Sequence, residues 1–234
     1  MAQAEKEKKP RPAPPPPPAP LATASLLLRG AAARVLGLQP SKCGGELQPL
    51  WVTEPGCAKL TVGLDGSARA PFPKEELHGA LIDAVEAAAN ELVRADQAIS
   101  VFELGRAAAA ERYGLAASGG DTVRLAYVPG AALVEIPANW SLCPTTGACG
   151  AITFQQKSVD PDSKKKPDTM ILLKKKQLLL RFEVANKDAP GGAQDGGEQP
   201  SAEVARELED AKVRVSVPGV DGPAAAGAAP APAA

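Results

Sequence analysis

Two of the chain's four cysteines lie in one polar segment and are the first residues that could do chemistry. Cys143 and Cys149 are the first and last residues of this segment, and Trp140 lies shortly before it. Thiolates bind metals and act as nucleophiles, so the segment is a candidate site. Cys43 and Cys57 lie in irregular sequence, and no two cysteines have the CxxC spacing of a redox or zinc motif. We therefore expect reduced thiols.

The single histidine, His78, limits what these thiols could catalyse. It falls on a predicted helix beside the core-facing stripe, and Ile82 occupies the i+4 position where a second metal ligand would stand. A Ser-His-Asp or Cys-His set needs its histidine next to the nucleophile, which this placement does not favour. From the residues alone, no catalytic group and no metal ligand is predicted.

The cysteine segment is predicted to be a loop between two strands. Residues 131–136 suit a half-buried strand, Pro137 ends it, and the apolar alternation resumes at Ile152 and Phe154. A loop held by rigid strands is a common place for function. The elements around it decide which groups it can bring together.

The rest of the chain alternates helices and strands. Helices are predicted over 21–36, from Pro71 onward and over 105–113, and strands over 50–53, 59–63, 98–104, 123–128, 133–136 and 151–157. A last hairpin is predicted over 170–173 and 178–184, with Leu178, Leu180, Phe182 and Val184 on one face. The pattern indicates a single α+β domain, with a mixed or antiparallel sheet and packed helices.

The helical period predicts which side of each long helix is buried. The first helix should bury one face, made of Ala24, Leu27 or Leu28, Ala31 and Val35. The second should bury a stripe made of Leu77, Leu81, Ala84, Val85, Ala88 and Leu92. Both helices are expected to pack against the sheet through these stripes.

Both ends of the chain have compositions that cannot bury a core. Residues 10–20 are almost all proline and alanine, and the chain from Asn186 is mainly glycine, proline, alanine and acid. We predict a disordered tail over 1–20 and one domain over 21–186. A low-complexity tail with one weak helix near 201–212 should follow over 187–234.

Composition narrows the classes of function. The chain has 234 residues, a formal net charge of −1 and a pI near 6.0, so charge gives no general reason to expect nucleic acid, although local clusters could still bind it, and DNA is not expected. No apolar run approaches the ~20 residues that a membrane helix needs. The start resembles neither a secretory signal nor a transit peptide. We expect a cytoplasmic protein without a membrane partner, and leave organelle import open.

Two lysine triplets are the strongest local charge clusters. Lys164, Lys165 and Lys166 precede the last hairpin, and Lys174, Lys175 and Lys176 fall between its strands. They are candidate contacts for RNA phosphates or for a protein partner. The competing interpretation is that they are solvated lysines that also protect a sheet edge from aggregation.

Two short segments carry a resemblance to a known family. Ala22-Thr-Ala-Ser-Leu-Leu-Leu28 and Cys143-Pro-Thr-Thr-Gly147 are similar to the motifs His-Thr-Ala-x-His-Leu-Leu and Cys-x-x-x-His. Both motifs belong to the editing domain of alanyl-tRNA synthetases, which also occurs in free-standing proteins and in threonyl-tRNA synthetases. The order of predicted elements over 21–184, and the segments within 75–136, resemble that domain as well.

The resemblance implies that a zinc site has been lost. Family members bind one Zn²⁺ with these motifs and hydrolyse mischarged aminoacyl-tRNA. The four ligand positions fall here on Ala22, Leu26, Cys143 and Gly147, while Thr23 and Thr146 are remnants of the motifs. Alanine, leucine and glycine side chains donate nothing to zinc, so no metal is predicted.

The expected function is therefore non-catalytic. The first possibility is a binding or structural subunit of a larger assembly, in which protein or RNA partners, including tRNA or rRNA, are open. The second is a module that binds tRNA without cleaving it. The third is a residual hydrolase of mischarged alanyl-tRNA, against which the missing ligands argue.

Overall fold

A computed structural model describes residues 15–36, 50–63, 78–113, 120–155, 169–172, 177–195, 200, 202–206 and 208. The helices are α1 (Ala19–Leu36), α2 (His78–Ala95) and α3 (Arg106–Tyr113). The strands are β1 (Trp51–Glu54), β2 (Cys57–Gly63), β3 (Ser100–Gly105), β4 (Thr122–Val128), β5 (Ala132–Glu135), β6 (Ile152–Phe154), β7 (Met170–Leu172), β8 (Gln177–Val184) and β9 (Gln194–Asp195). Residues 1–199 form one compact unit and residues 200–234 a second, in which 202–206 are helical.

The strands form two sheets. One has the order β1-β2-β8, and β6 and β7 both pair with β8. The other has the order β5-β4-β3-β9. Among the described strands, every pairing is antiparallel except that of β3 with β9. The α+β fold class with mixed or antiparallel sheets is thereby confirmed.

The hairpin β7–β8 has the predicted facing. On β8, Leu178, Leu180, Phe182 and Val184 are buried, and the residues between them are more exposed. Because side chains alternate along a strand, this pattern places one face of the sheet on the core and the other toward solvent. The residues that join β7 to β8 lie outside the described part of the chain.

Helix α1 is buried on all sides, so the prediction of a single buried face was wrong. Every residue from Ala19 to Ala33 is buried, including Arg29. The helix contacts α2, strands β2 and β8 of one sheet, and β5 of the other, which leaves no side for solvent. At Gly30 the backbone approaches Ala131 so closely that a Cβ would overlap it, so the absence of a side chain permits this packing.

Helix α2 has the predicted amphipathic character, with its buried side turned by about one residue. Ile82, Val85, Ala89 and Leu92 are buried, whereas Leu81 is half-buried and Ala84 is exposed. The predicted start at Pro71 and the side chain of His78 lie outside the described residues. The helical period of the sequence was enough to locate a buried stripe on α2. Which residues face the core depends on the elements against which the helix packs.

Two side chains of α2 complete the outer edge of β6. The Asn90 carboxamide donates to the Ile152 carbonyl (2.7 Å) and accepts from the Ile152 N–H (2.9 Å). The Glu86 carboxylate accepts from the Phe154 N–H (2.9 Å). Backbone groups that a neighbouring strand would otherwise satisfy are thus paired with the helix.

The described chain continues to contact this unit beyond residue 186, where the sequence analysis placed the end of the domain. β9 pairs with β3, and the N–H groups of Gly192 and Ala193 both donate to the Leu142 carbonyl, at 2.9 and 3.1 Å. Ala189 is buried in the core. We call residues 187–195 the C-terminal strap.

Candidate functional site

The loop that carries the two cysteines connects the two sheets. It leaves β5 of the four-stranded sheet after Glu135 and enters β6 of the five-stranded sheet at Ile152. A loop between two strands was predicted and is confirmed, although its crossing between sheets was not foreseen. The loop divides into two halves, residues 138–142 and residues 143–149, that differ in their surroundings.

The second half packs against the first turns of α1. The Thr23 hydroxyl accepts a hydrogen bond from the Cys143 N–H at 2.9 Å. Ala22, Thr23, Leu26 and Cys143 all have 0 % of their surface exposed. The structure therefore brings the two motif segments into direct contact through Thr23 and Cys143, inside the core.

The same half is fixed to the end of α2 by Thr146. Its hydroxyl donates to the Leu92 carbonyl (2.7 Å) and accepts from the Gln97 N–H (3.0 Å). Its own N–H donates to the Gln97 carbonyl (2.8 Å). This buried hydroxyl supplies hydrogen bonds that the backbone groups at the end of the helix would otherwise lack, as a capping group does.

Gly147 lies against Asp96 rather than against α1. Asp96 follows α2 with a positive φ of 45°. Its carboxylate accepts from the Thr145 hydroxyl (2.5 Å) and the Gly147 N–H (3.1 Å). A Cβ at Gly147 would overlap this carboxylate, so any side chain there requires Asp96 to move.

Burial keeps the two loop cysteines protonated. It raises the pKa of the Cys143 thiol, and burial together with the nearby Cys143 raises the pKa of Cys149 to about 12. The Cys149 thiol donates to the Thr146 carbonyl at 3.4 Å. Since the thiolate is the reactive and metal-binding form, neither thiol is prepared for nucleophilic attack at neutral pH.

The described cysteines Cys57, Cys143 and Cys149 are free thiols, as predicted; Cys43 lies outside the described residues. Within the described ranges, no group of three or more His, Cys, Asp or Glu side chains could hold a metal ion. Of the four positions at which the resemblance implies a ligand, only Cys143 has a side chain that could coordinate a metal, because Ala22, Leu26 and Gly147 have no donor atoms.

The first half of the loop borders a cleft that sequence reasoning missed. The cleft has a volume of about 230 Å³ and is lined by Val101, Arg124, Ala138, Asn139, Trp140, Ser141, Leu142, Gly192 and Ala193. We call it the Arg124 cleft. The one signal in the sequence was an arginine inside the otherwise apolar strand β4, flanked by Val123 and Leu125.

The lysine triplets cannot be placed in this geometry. Lys164, Lys165, Lys166, Lys174, Lys175 and Lys176 all lie outside the described residues. The strands on either side of the second triplet pair with each other, from Leu172 with Gln177 onward. Their role in binding stays a prediction.

None of the described helices combines the length and apolar character needed to cross a membrane. No protein-family model and no curated protein matches the sequence of this chain.

Proposed function

We propose that the chain is a non-catalytic relative of the alanyl-tRNA editing domains and acts as a binding or structural subunit of a larger assembly. One observation carries the proposal: the two motif segments meet at the hydrogen bond between Thr23 and Cys143, and both of these residues are fully buried. Thr23 and Cys143, the threonine and the cysteine of the two motif segments, lie here in the interior of the protein.

Hydrolysis with zinc would need a different arrangement. A catalytic zinc site has about three protein ligands and an open position for water or substrate. Ala22 and Leu26 supply no donor atoms, and their 0 % exposure leaves no open position beside them. The packing suits a scaffold whose shape, rather than its chemistry, is used.

The first experiment measures metal and activity on the purified full chain. Elemental analysis should find far less than one zinc per chain. Alanine tRNA charged with serine or glycine should lose its amino acid no faster than without protein. Stoichiometric zinc that disappears in a Cys143→Ser variant, together with deacylation, would overturn the proposal in favour of an editing hydrolase.

The second experiment identifies the kind of partner. The tagged full chain is captured from its native source under gentle conditions, with half of the sample treated with ribonuclease, and bound proteins are identified by mass spectrometry. A defined set of proteins that survives ribonuclease supports a subunit of a protein assembly. Recovery of tRNA as the main bound species would replace this proposal with a tRNA-binding module.

A further inference from the structure

The residues that lead into α1 form a proline run that the proposed function does not use. Residues 10–18 have the sequence Pro-Arg-Pro-Ala-Pro-Pro-Pro-Pro-Pro. A proline fixes its own φ at about −65° and disfavours the α conformation at the residue before it. Such a run favours the polyproline II helix, which has three residues per turn and a solvated backbone.

The described end of this run presents one face to solvent. Residues 15–18 belong to no helix or strand and end directly before α1. Pro15, Pro16 and Pro18 are exposed, whereas Pro17 is buried. With three residues per turn, Pro15 and Pro18 lie on the same face of a polyproline II helix, and Pro17 lies on another. The face that carries Pro15 and Pro18 is therefore open to a partner where the run meets the folded unit.

The same face carries a recognition pattern toward the N-terminus. Steps of three residues back from Pro15 lead to Pro12 and then to Lys9, so these residues form the pattern Lys-x-x-Pro-x-x-Pro. Residues 9–14 lie outside the described part of the chain, and the pattern is a property of their sequence. Segments with P-x-x-P spacing dock into aromatic-lined grooves, because their helix is preformed and loses little entropy on binding. A lysine at one end adds an ammonium group that a carboxylate of the partner can receive.

The charges before the run do not favour a nucleic acid or a membrane as the partner. Glu5 and Glu7 alternate with Lys6 and Lys8, so the segment is not the uninterrupted basic cluster that attracts phosphates or an acidic lipid surface. The spacing of the prolines, rather than net charge, is the feature that a partner can recognise.

We propose that residues 9–18 bind a protein domain of the SH3 type, whose groove is lined by aromatic rings and carries carboxylates at one end. Pro12 and Pro15 pack between the rings, and Lys9 contacts the carboxylates, which sets the direction of the chain in the groove. This proposal goes beyond the proposed function and does not depend on it, because the run contains neither of the motif segments.

The binding test uses an isotope-labelled SH3 domain that has carboxylates beside its aromatic groove. The unlabelled full chain is added in steps, and the NMR signals of the groove should shift saturably. The same SH3 domain with these carboxylates changed to amides should bind the full chain about threefold more weakly, because an exposed contact with Lys9 loses its charge.

Two double variants of the full chain separate the binding face from the proline content. Pro12→Ala with Pro15→Ala removes both prolines of the face and should weaken binding at least about tenfold, since less apolar surface is buried in the groove. Pro14→Ala with Pro16→Ala is the matched control. It removes as many prolines from the other two faces and should weaken binding less than about threefold, because only the stiffness of the run is reduced.

Thermal unfolding shows whether the two double variants leave the folded unit intact. Their midpoints should equal that of the parent, because these prolines precede α1 and the described ones, Pro15 and Pro16, are exposed. Equal weakening of binding by the two double variants would overturn the proposal, and so would the absence of saturable shifts with about 1 mM of the parent chain. Zinc content and deacylation do not involve residues 9–18, so failure of this proposal is distinguishable from failure of the proposed function.

Discussion

The two halves of the loop between β5 and β6 are consecutive in the chain but have different surroundings. Residues 143–149 are hydrogen-bonded to α1 and to the end of α2, and both of their cysteines are fully buried. Residues 138–142 border an open cleft with a fixed cation. In the half that resembles a known motif, the two cysteines and Thr146 are buried, whereas Ala138, Asn139 and Ser141 of the other half are exposed.

The two threonines of the motif-like segments have structural roles that need no metal. Thr23 and Thr146 each use a hydroxyl to satisfy backbone groups, which is a structural need that does not depend on zinc. Leaving such a buried backbone group without a partner costs about 1–3 kcal/mol. The need to satisfy these backbone groups is by itself a sufficient reason for both threonines.

The largest expected effect comes from restoring histidine in the closed half. Ala22→His, Leu26→His and Gly147→His together should destabilise the protein by more than about 4 kcal/mol, because two imidazoles enter a filled core and the third displaces Asp96. Urea unfolding measures this change. Leu26→Met, which conserves volume, should cost less than about 1.5 kcal/mol. A triple variant that folds and binds one zinc would instead show that these positions surround a usable site.

The next effect tests Thr146 against its neighbour. Thr146→Val keeps the shape but leaves the Leu92 carbonyl and the Gln97 N–H without the hydroxyl, which should cost about 2–3 kcal/mol. Thr145→Val removes a half-exposed hydroxyl that bonds Asp96 and should cost less than about 1 kcal/mol. Equal costs for the two variants in urea unfolding would contradict the assignment of Thr146 as the anchor.

A pair of truncations tests how much the C-terminal strap contributes to the stability of the protein. Ending the chain after Asn186 removes β9 and the two hydrogen bonds to Leu142, whereas ending it after Gln199 keeps them. The shorter chain should be less stable than the longer one by about 1–3 kcal/mol, in line with the loss of two or three net hydrogen bonds. Thermal midpoints of both chains at one concentration decide this, and identical midpoints would mean that the strap adds no stability.

The smallest effect at ordinary pH is the titration of Cys149. Its pKa rises from an ordinary value of 9.0 to about 12 on folding, so the folded protein retains a proton that the unfolded chain releases. Stability from this group is therefore complete below pH 9.0 and falls as the pH rises toward 12. Between these pH values the parent should lose about 1.4 kcal/mol of stability per pH unit because of this group, and this slope should be absent from the Cys149→Ala variant. Parallel profiles of unfolding free energy against pH for the parent and the variant would contradict this prediction.

Local patterns were enough to locate most elements. The hairpin β7–β8, helices α1 and α3 and the strands from β3 to β5 begin and end near their predicted positions, since they depend on alternation and on breakers such as Pro129 and Gly130. β9 was missed because Gln194 and Asp195 have no strand signal of their own and are ordered by β3.

The surroundings of each element were not available from the sequence. The burial of α1 on all sides follows from contacts with both sheets, which periodicity in one helix does not report. The Arg124 cleft needs three segments far apart in sequence to meet, so Arg124 gave only the weak signal of a charge in an apolar strand. Thr23 and Cys143 were linked only through the family resemblance, and the structure places the Cys143 nitrogen 2.9 Å from the Thr23 hydroxyl oxygen.

The pairing of β6 with side chains of α2 has a kinetic consequence. The amides of Ile152 and Phe154 are bonded to Asn90 and Glu86 and not to a further strand, so α2 must withdraw before these amides exchange with deuterium. Their exchange rates then report the opening of a helix from a sheet, and Asn90→Ala should speed exchange at Ile152 with less effect at Phe154. A three-residue strand at the edge of a sheet would thus acquire the protection of a helix interior.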